Sequence, residues 1–277
     1  MPIAAIGAAL LSALIHASWN AVLKGGNDRV ADAFMVALGS TSLALGLIAW
    51  LGPPPAEAWP YLAVSVCIHI GYWYTLMKGY DAGDLSHVYT LSRGMAPLLV
   101  AIGAALTAAE IPAPLKLFGI VLVSAGVLLV GASPHAPLRA TLWAGAIGLC
   151  IAGYSLNDAL GSRVAGNALQ FVAWSSLFTG IAMLSFGLWR RGPKRLLAVG
   201  GAASLRGLIV GPVSVAGYAL VLWAQTIAPI AQVTALRETS VVFAALIAFL
   251  LLHERLGARR WIGAGVVAAG AGLIAFG

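Results

Sequence analysis

Arg93, Asp158, Arg237 and Glu238 stand inside stretches that are otherwise almost wholly apolar, and charge in such surroundings must be neutralised or used. The guanidinium groups of Arg93 and Arg237 can each hold a carboxylate through two parallel hydrogen bonds. Two arginines against one glutamate leave a surplus of positive charge, which favours an anionic group on a bound molecule. Arg93 and Glu238 equally suit a structural pair, since isolated charge there would be expensive. Asp158 can receive an ammonium group or carry a proton, or it can close on Arg163 five residues further on.

Aromatic and imidazole side chains surround these charges in sequence. His16, Trp19 and Asn20 fall on one helical face with Leu23. Ser-x-Asn recurs at Ser155 to Asn157, so Asn20 and Asn157 suit helix–helix hydrogen bonding as well as ligand contact, whereas His16 has no counterpart. His69, Tyr72 and Trp73 form the densest such run, with Tyr74 and Tyr80 nearby. Rings of this kind stack on apolar groups and attract ammonium by about 0.5–2 kcal/mol. An interfacial aromatic belt accounts for Tyr80 and Trp73 but not for the deeper His69. His87 and Tyr89 precede Arg93, Gln232 precedes Arg237, and Tyr218 follows a glycine as Tyr72 does. These fifteen residues are the candidate small-molecule binding set: His16, Trp19, Asn20, His69, Tyr72, Trp73, His87, Tyr89, Arg93, Asn157, Asp158, Tyr218, Gln232, Arg237 and Glu238.

The elements that position them follow from composition. With 61% hydrophobic residues, 9% charged residues and a mean hydropathy of +0.94, the chain describes an integral membrane protein. Ten stretches approach the roughly 20 residues that a crossing helix needs: Ile3–Lys24, Val30–Leu51, Ala58–Gly79, Leu85–Ala108, Leu115–Ser133, Leu142–Gly161, Ala168–Trp189, Ser204–Ile227, Ile230–Leu252 and Arg259–Phe276. The first lacks the basic start of a signal peptide and reads as mature sequence. Threading ten helices puts Lys24, Arg29, Lys78, Arg139, Arg190, Arg191, Lys194, Arg195, Arg255, Arg259 and Arg260 on one side, and only Lys116 and Arg163 on the other. The first side is then cytoplasmic, both termini face outward, and the expected location is a bacterial inner membrane. The net charge of +7 thus reads as orientation rather than nucleic-acid binding. Cys67 and Cys150 lie alone in apolar stretches and signal neither a disulfide nor a metal site.

The chain also repeats itself. Glu110, Gly119 and Gly126 recur as Glu254, Gly263 and Gly270, each 144 residues on. Ser18-x-Asn20 matches Ser155-x-Asn157, and Leu91 to Gly94 matches Leu236 to Thr239, which makes Arg93 and Glu238 counterparts. Residues 1–134 and 135–277 therefore read as two five-helix repeats. An odd number of helices makes the second repeat enter the membrane from the opposite side, and such inverted halves can open a central site to each face in turn. Pro97, Pro212 and Pro229 are candidate hinge positions.

The paired stretches Glu110-Ile111-Pro112 to Gly126 and Glu254-Arg255-Leu256 to Gly270 resemble the drug/metabolite transporter superfamily, and within it the ten-helix EamA-type exporters. The resemblance covers essentially the whole chain; a candidate branch is the aromatic amino acid exporters. It implies two inverted five-helix bundles, with helices one to four and six to nine around a central cavity and helices five and ten outside it. Members include exporters of amino acids and other metabolites. Many relatives carry basic residues between the second and third helices, whereas Gly52 to Glu57 carries none here.

The leading expectation is a secondary transporter that exports small metabolites by alternating access, amino acids foremost, with apolar or aromatic side chains preferred. Organic cations or nucleotide-linked sugars are alternative cargo, and a non-transporting receptor or scaffold is the reading from another class. An enzyme is not expected: there is no Gly-x-x-x-x-Gly-Lys-Ser/Thr, no Gly-x-Ser-x-Gly, and His16, His69 and His87 lie on separate helices without metal-ligand spacing. No cofactor is expected. The implied partners are the small-molecule substrate and the lipid bilayer; the sequence sets no oligomeric state, and a monomer is compatible with it.

Overall fold

Long apolar stretches have to satisfy their backbone groups internally when they enter hydrocarbon, which leaves helix as the available form for this chain. The computed structural model describes residues 1–23, 29–131, 133, 135–194, 201–251 and 253–277, without the side chains of residues 29, 30, 85, 202 and 203. The expected ends at Lys24 and Leu252, the repeat boundary after Pro134, and Arg195 of the basic set lie outside the described residues. The helices are α1 (Ile3–Leu23), α2 (Arg29–Leu51), α3 (Trp59–Ala82), α4 (Leu85–Thr107), α5 (Pro114–Gly131), α6 (Leu138–Ala165), α7 (Ala168–Arg191), α8 (Gly201–Ile227), α9 (Ile230–Arg237), α10 (Ser240–Leu250) and α11 (Ala258–Phe276). No strand occurs among the described residues.

Local chemistry sets several ends. Asp84 accepts the Ser86 N–H at 2.7 Å to start α4, and Asn167 accepts the N–H groups of Leu169 and Gln170 to start α7. Gly166 ends α6 at φ +70°, a left-handed geometry that costs a glycine little.

By length and hydropathy, α1, α2, α4 to α8 and the joined α9–α10 can cross a membrane. α3 and α11 are of crossing length, at 24 and 19 residues; α3 is lower in hydropathy because it carries His69, Tyr72, Lys78 and Asp81. The chain is an all-α membrane protein. Its distribution of side chains fits hydrocarbon: Trp50, Leu106, Ile111 and Trp189 are at least 75% exposed, while Arg93, Asp158, Gln225 and Glu238 are at most 6% exposed.

The ninth expected segment is not one continuous helix. It divides at Glu238 and Thr239, where N–H groups turn to carbonyls three residues back: Glu238 to Ala235 (3.0 Å), Thr239 to Leu236 (3.1 Å), Val241 to Glu238 (3.0 Å) and Val242 to Thr239 (2.9 Å). The Thr239 hydroxyl also donates to the Leu236 carbonyl at 2.6 Å. This tightened turn swings the Glu238 side chain toward α4.

α5 and α11 pack on each other and on α4, α9 and α10, apart from the other helices. The repeated glycines make that contact possible. A Cβ added at Gly119 would lie 2.9 Å from the Gly270 carbonyl oxygen, and one at Gly126 would lie 2.8 Å from that of Gly263. Only bare backbone allows such an approach. At the end of the bundle where α1 begins and α4, α6 and α8 finish, Ala5, Ala9, Ala104, Val221 and Ala224 fill a continuous buried core.

Candidate functional site

The intramembrane charges converge at the middle of the bundle. Arg93 on α4 donates through Nε to Glu238 Oε2 at 3.0 Å, and both side chains are almost fully buried. A second guanidinium nitrogen of Arg93, Nη2, is buried without a hydrogen-bond partner, as is Nε of Arg237. The Arg237 guanidinium lies over the Tyr218 ring, 5.8 Å from its centroid. Arg93 and Arg237 both lie within electrostatic reach of His16, whose ring meets Trp19 edge-on at 4.9 Å. The cluster therefore carries more positive than negative charge and has two donors free.

Beside it, on α6, the Asp158 carboxylate is 0% exposed. It accepts the Tyr218 hydroxyl at 2.6 Å and the Asn157 amide at 2.9 Å, with Ser65 and His69 of α3 alongside. Asn157 also donates to the Tyr61 carbonyl at 2.8 Å, tying α6 to α3. Arg163 does not neutralise Asp158. It binds Glu110 Oε1 at 2.7 Å instead, and donates to the carbonyls of Gln225 (2.9 Å) and Ala228 (3.2 Å). The second Glu110 oxygen accepts the Ile230 N–H at 2.7 Å. These bonds join the ends of α4, α6 and α8 at the tightly packed end of the bundle.

Rings line the space between. His69 stacks on Tyr154 with centroids 4.6 Å apart, and Tyr72 meets Tyr154 and Trp73 edge-on at 5.9 and 5.8 Å. A cavity of about 440 Å³ begins at His69, Trp73, Ser175 and Tyr218 and runs past Trp19 and Thr179 to Leu23, Asp32 and Met183. It extends toward the end where α1 and α7 finish, with Arg190 and Arg191 in the last turn of α7.

Of the expected set, Trp19, His69, Trp73 and Tyr218 line the cavity. Behind the lining stand Asp158 and Arg237, both on Tyr218, Tyr72 against Trp73, His16 against Trp19, Asn157 on Asp158, and the Arg93–Glu238 pair next to Arg237. Tyr89 is half-buried near Arg93, and Gln232 is buried within α9. Two residues stand apart. Asn20 is exposed and its amide donates to the His16 carbonyl at 2.7 Å. His87 accepts the Ser133 N–H on Nδ1 at 3.0 Å and meets the Thr141 hydroxyl with Nε2 at 3.2 Å, which makes it a tie between α4, the chain before α6, and α6 itself. Sequence reasoning missed Tyr154 as a wall residue, and Ser65, Ser175 and Thr179. Tyr154 precedes Asp158 by one helical turn, which was the available signal.

Residues 138–276 match the EamA-like transporter family. No curated protein matches the chain. A solved structure described only as the crystal structure of a protein is similar over 98% of both chains, with a TM-score of 0.79 at 16% identity; that likeness concerns the fold. A helical membrane protein whose buried charges meet beside a cavity, and half of whose length matches this family, belongs to it: the chain is an EamA-like transporter of the drug/metabolite transporter superfamily.

Proposed function

We propose that this transporter exports small metabolites, amino acids with apolar or aromatic side chains foremost, by alternating access between two inverted repeats, residues 1–134 and 135–277. The observation that carries the reading is a pair of unpartnered buried donors: Arg237 Nε, whose guanidinium lies over the cavity-lining Tyr218 ring, and Arg93 Nη2, held next to it by the ion pair with Glu238. Unpaired buried donors are costly, and a carboxylate satisfies both. A volume near 440 Å³ lies within the roughly 300–1,000 Å³ of small-molecule sites. His69, Tyr72, Trp73 and Tyr154 supply a wall for the side chain.

The basic side of the protein is the cytoplasmic one on this reading, with both termini outside and a bacterial inner membrane as the location. The cavity then opens to the cytoplasm, and the Arg163–Glu110 end is closed to the exterior. The contact of Gly119 and Gly126 with Gly270 and Gly263 supports the inverted pairing, because each repeat contributes the same glycines to one interface.

Counterflow in proteoliposomes with labelled phenylalanine, threonine and an organic cation tests the proposal. Amino-acid flux that is lost in Arg93→Ala is expected. Flux of the cation alone would reject the amino-acid reading.

A further inference from the structure

We propose that a groove on the outside of the bundle, between α8 and the α6–α7 corner, binds one membrane phospholipid, with an acyl chain along α8 and the phosphate on Arg163. The proposal is independent of the cargo and of how it is moved.

The groove encloses about 700 Å³, more than the cavity among the buried charges. Ala216, Leu220, Trp223 and Thr226 of α8 form one wall, and Arg163 and Asn167 stand across from them. It lies on the face of α8 that is turned away from the bundle, where Ile209, Val213, Trp223 and Ile227 are 38–56% exposed. In a membrane protein such a face meets hydrocarbon, so the neighbouring acyl chains are what can fill a furrow in it.

Its chemistry changes along its length as an amphiphile requires. Thr226 is one residue from the end of α8, and Ala216 is ten residues deeper. Ten residues rise about 15 Å, half of a hydrocarbon core about 30 Å thick, so the groove runs the depth of one leaflet. Ala216, Ala219 and Leu220 make the deep part apolar, whereas Arg163, Asn167 and Thr226 gather at the shallow end. Trp223 is about one turn from the end of α8, the depth at which indole rings favour the headgroup boundary. A helix of a second copy fits poorly, because with its side chains it is about 10–12 Å across.

The charge at the shallow end complements a phosphate. Arg163 is the one charged side chain that lines the groove among the described residues, and it is 29% exposed. Nε donates to the Gln225 carbonyl, Nη2 to the Ala228 carbonyl, and Nη1 meets Glu110. Nη1 and Nη2 each carry a second hydrogen, which leaves two donors of the planar fork for phosphate oxygens. Glu110 is engaged by Arg163 and the Ile230 N–H and does not line the groove, so it presents no carboxylate to the lipid. A phospholipid seated here touches α8 along its chain and α6 at its phosphate. It therefore ties together the same two helices that Arg163 joins through the Gln225 carbonyl.

The test uses the purified full chain, stripped of lipid in detergent, with bound lipid counted by native mass spectrometry. The probes are dioleoyl phosphatidylglycerol, dioleoylglycerol with the same chains and no phosphate, and inorganic phosphate. One phosphatidylglycerol per chain is expected, held about tenfold more tightly than dioleoylglycerol, as a charge-assisted hydrogen bond provides, and not displaced by inorganic phosphate. Arg163→Gln should erase the preference between the two lipids, and Arg163→Lys, which keeps the charge, should restore part of it. Ala216→Trp fills the groove from an exposed position and should lower retention of both lipids alike. These two patterns differ, so a variant that merely loosens the fold does not imitate the loss of preference. Equal retention of the two lipids in the unaltered protein overturns the proposal, as does a preference that survives Arg163→Gln or retention that survives Ala216→Trp. Displacement by inorganic phosphate overturns it too, since the anion would then bind without the chain. A dimer that excludes lipid from the unaltered protein would assign the groove to a second copy and overturn it as well.

Discussion

Arg93 and Glu238 are 145 residues apart in sequence and 3.0 Å apart in space. On the proposed repeat each is the counterpart of the other, and the ion pair then joins equivalent stations of the two halves. Removing one partner strands the other in a dry site, which costs about 3–5 kcal/mol, whereas replacing both by apolar groups of similar volume is close to neutral. We predict that Glu238→Gln lowers the thermal unfolding temperature far more than the double variant Arg93→Met, Glu238→Met. The double variant should nevertheless carry no amino acid. A double variant as unstable as the single one would show that the pair is held for stability.

Much of this site was legible in the sequence because membrane burial makes each polar residue conspicuous. Arg93, Asp158 and Glu238 stand out by type alone, and matching one repeat to the other is enough to pair Arg93 with Glu238. The break at Glu238 was hidden, because Leu236, Val241 and Val242 continue an apolar helical pattern on both sides of it. Arg163 was a poor partner for Asp158 on geometry alone: five residues turn a helix by about 500°, which leaves the two side chains about 140° apart. Tyr154 shares a helical face with Asp158, but residue type alone does not separate an aromatic side chain that packs from one that stacks on His69 and Tyr72. His87 looked like a ligand, yet both ring nitrogens are engaged by Ser133 and Thr141, contacts across a connection that periodicity does not reach.

The glycine contact between α5 and α11 sets a second expectation. A side chain at Gly126 or Gly263 meets backbone of the facing helix, and overfilling of this kind costs about 1–3 kcal/mol. Gly265 and Gly272 lie on the same helix as Gly263 with nothing within 4 Å of an added Cβ. We predict that Gly126→Val and Gly263→Val lower the unfolding temperature in detergent while Gly265→Ala and Gly272→Ala leave it within the ~0.5 kcal/mol of ordinary surface changes. Equal losses in both sets would mean that the contact is loose.

Tyr154 is the hub of the ring wall, stacked on His69 and edge-on to Tyr72. Aromatic contacts contribute about 0.5–1.5 kcal/mol beyond their area, equivalent to about twofold to twelvefold in affinity. We predict that Tyr154→Ala weakens phenylalanine binding by that range and threonine binding less, and that Tyr154→Phe restores both. Scintillation proximity binding to the purified protein measures it. Equal weakening for the two amino acids would assign Tyr154 to folding rather than to selection.

The bonds of Arg163 close the end of the bundle opposite the cavity. Glu110 holds both the guanidinium and the Ile230 N–H, so the α4–α5 corner cannot part from α6 and the α8–α9 junction while they last. Opening that end must break them. Arg163 and Glu110 are 29% and 19% exposed, so water screens the pair and its contribution is about 1 kcal/mol. In the proposed alternating-access cycle that shifts the balance between the two open states by about fivefold. Ala224 lies beneath, fully buried in the alanine core. We predict that Ala224→Cys, in a background lacking Cys67 and Cys150, is labelled from outside by an impermeant maleimide about fivefold faster once Glu110→Gln is added. Reversing the pair, with Glu110→Arg and Arg163→Glu, should restore slow labelling only in part, since the glutamate would no longer reach the carbonyls of Gln225 and Ala228 as a donor. Labelling that ignores Glu110 altogether would leave the alanine core as the whole of the closure.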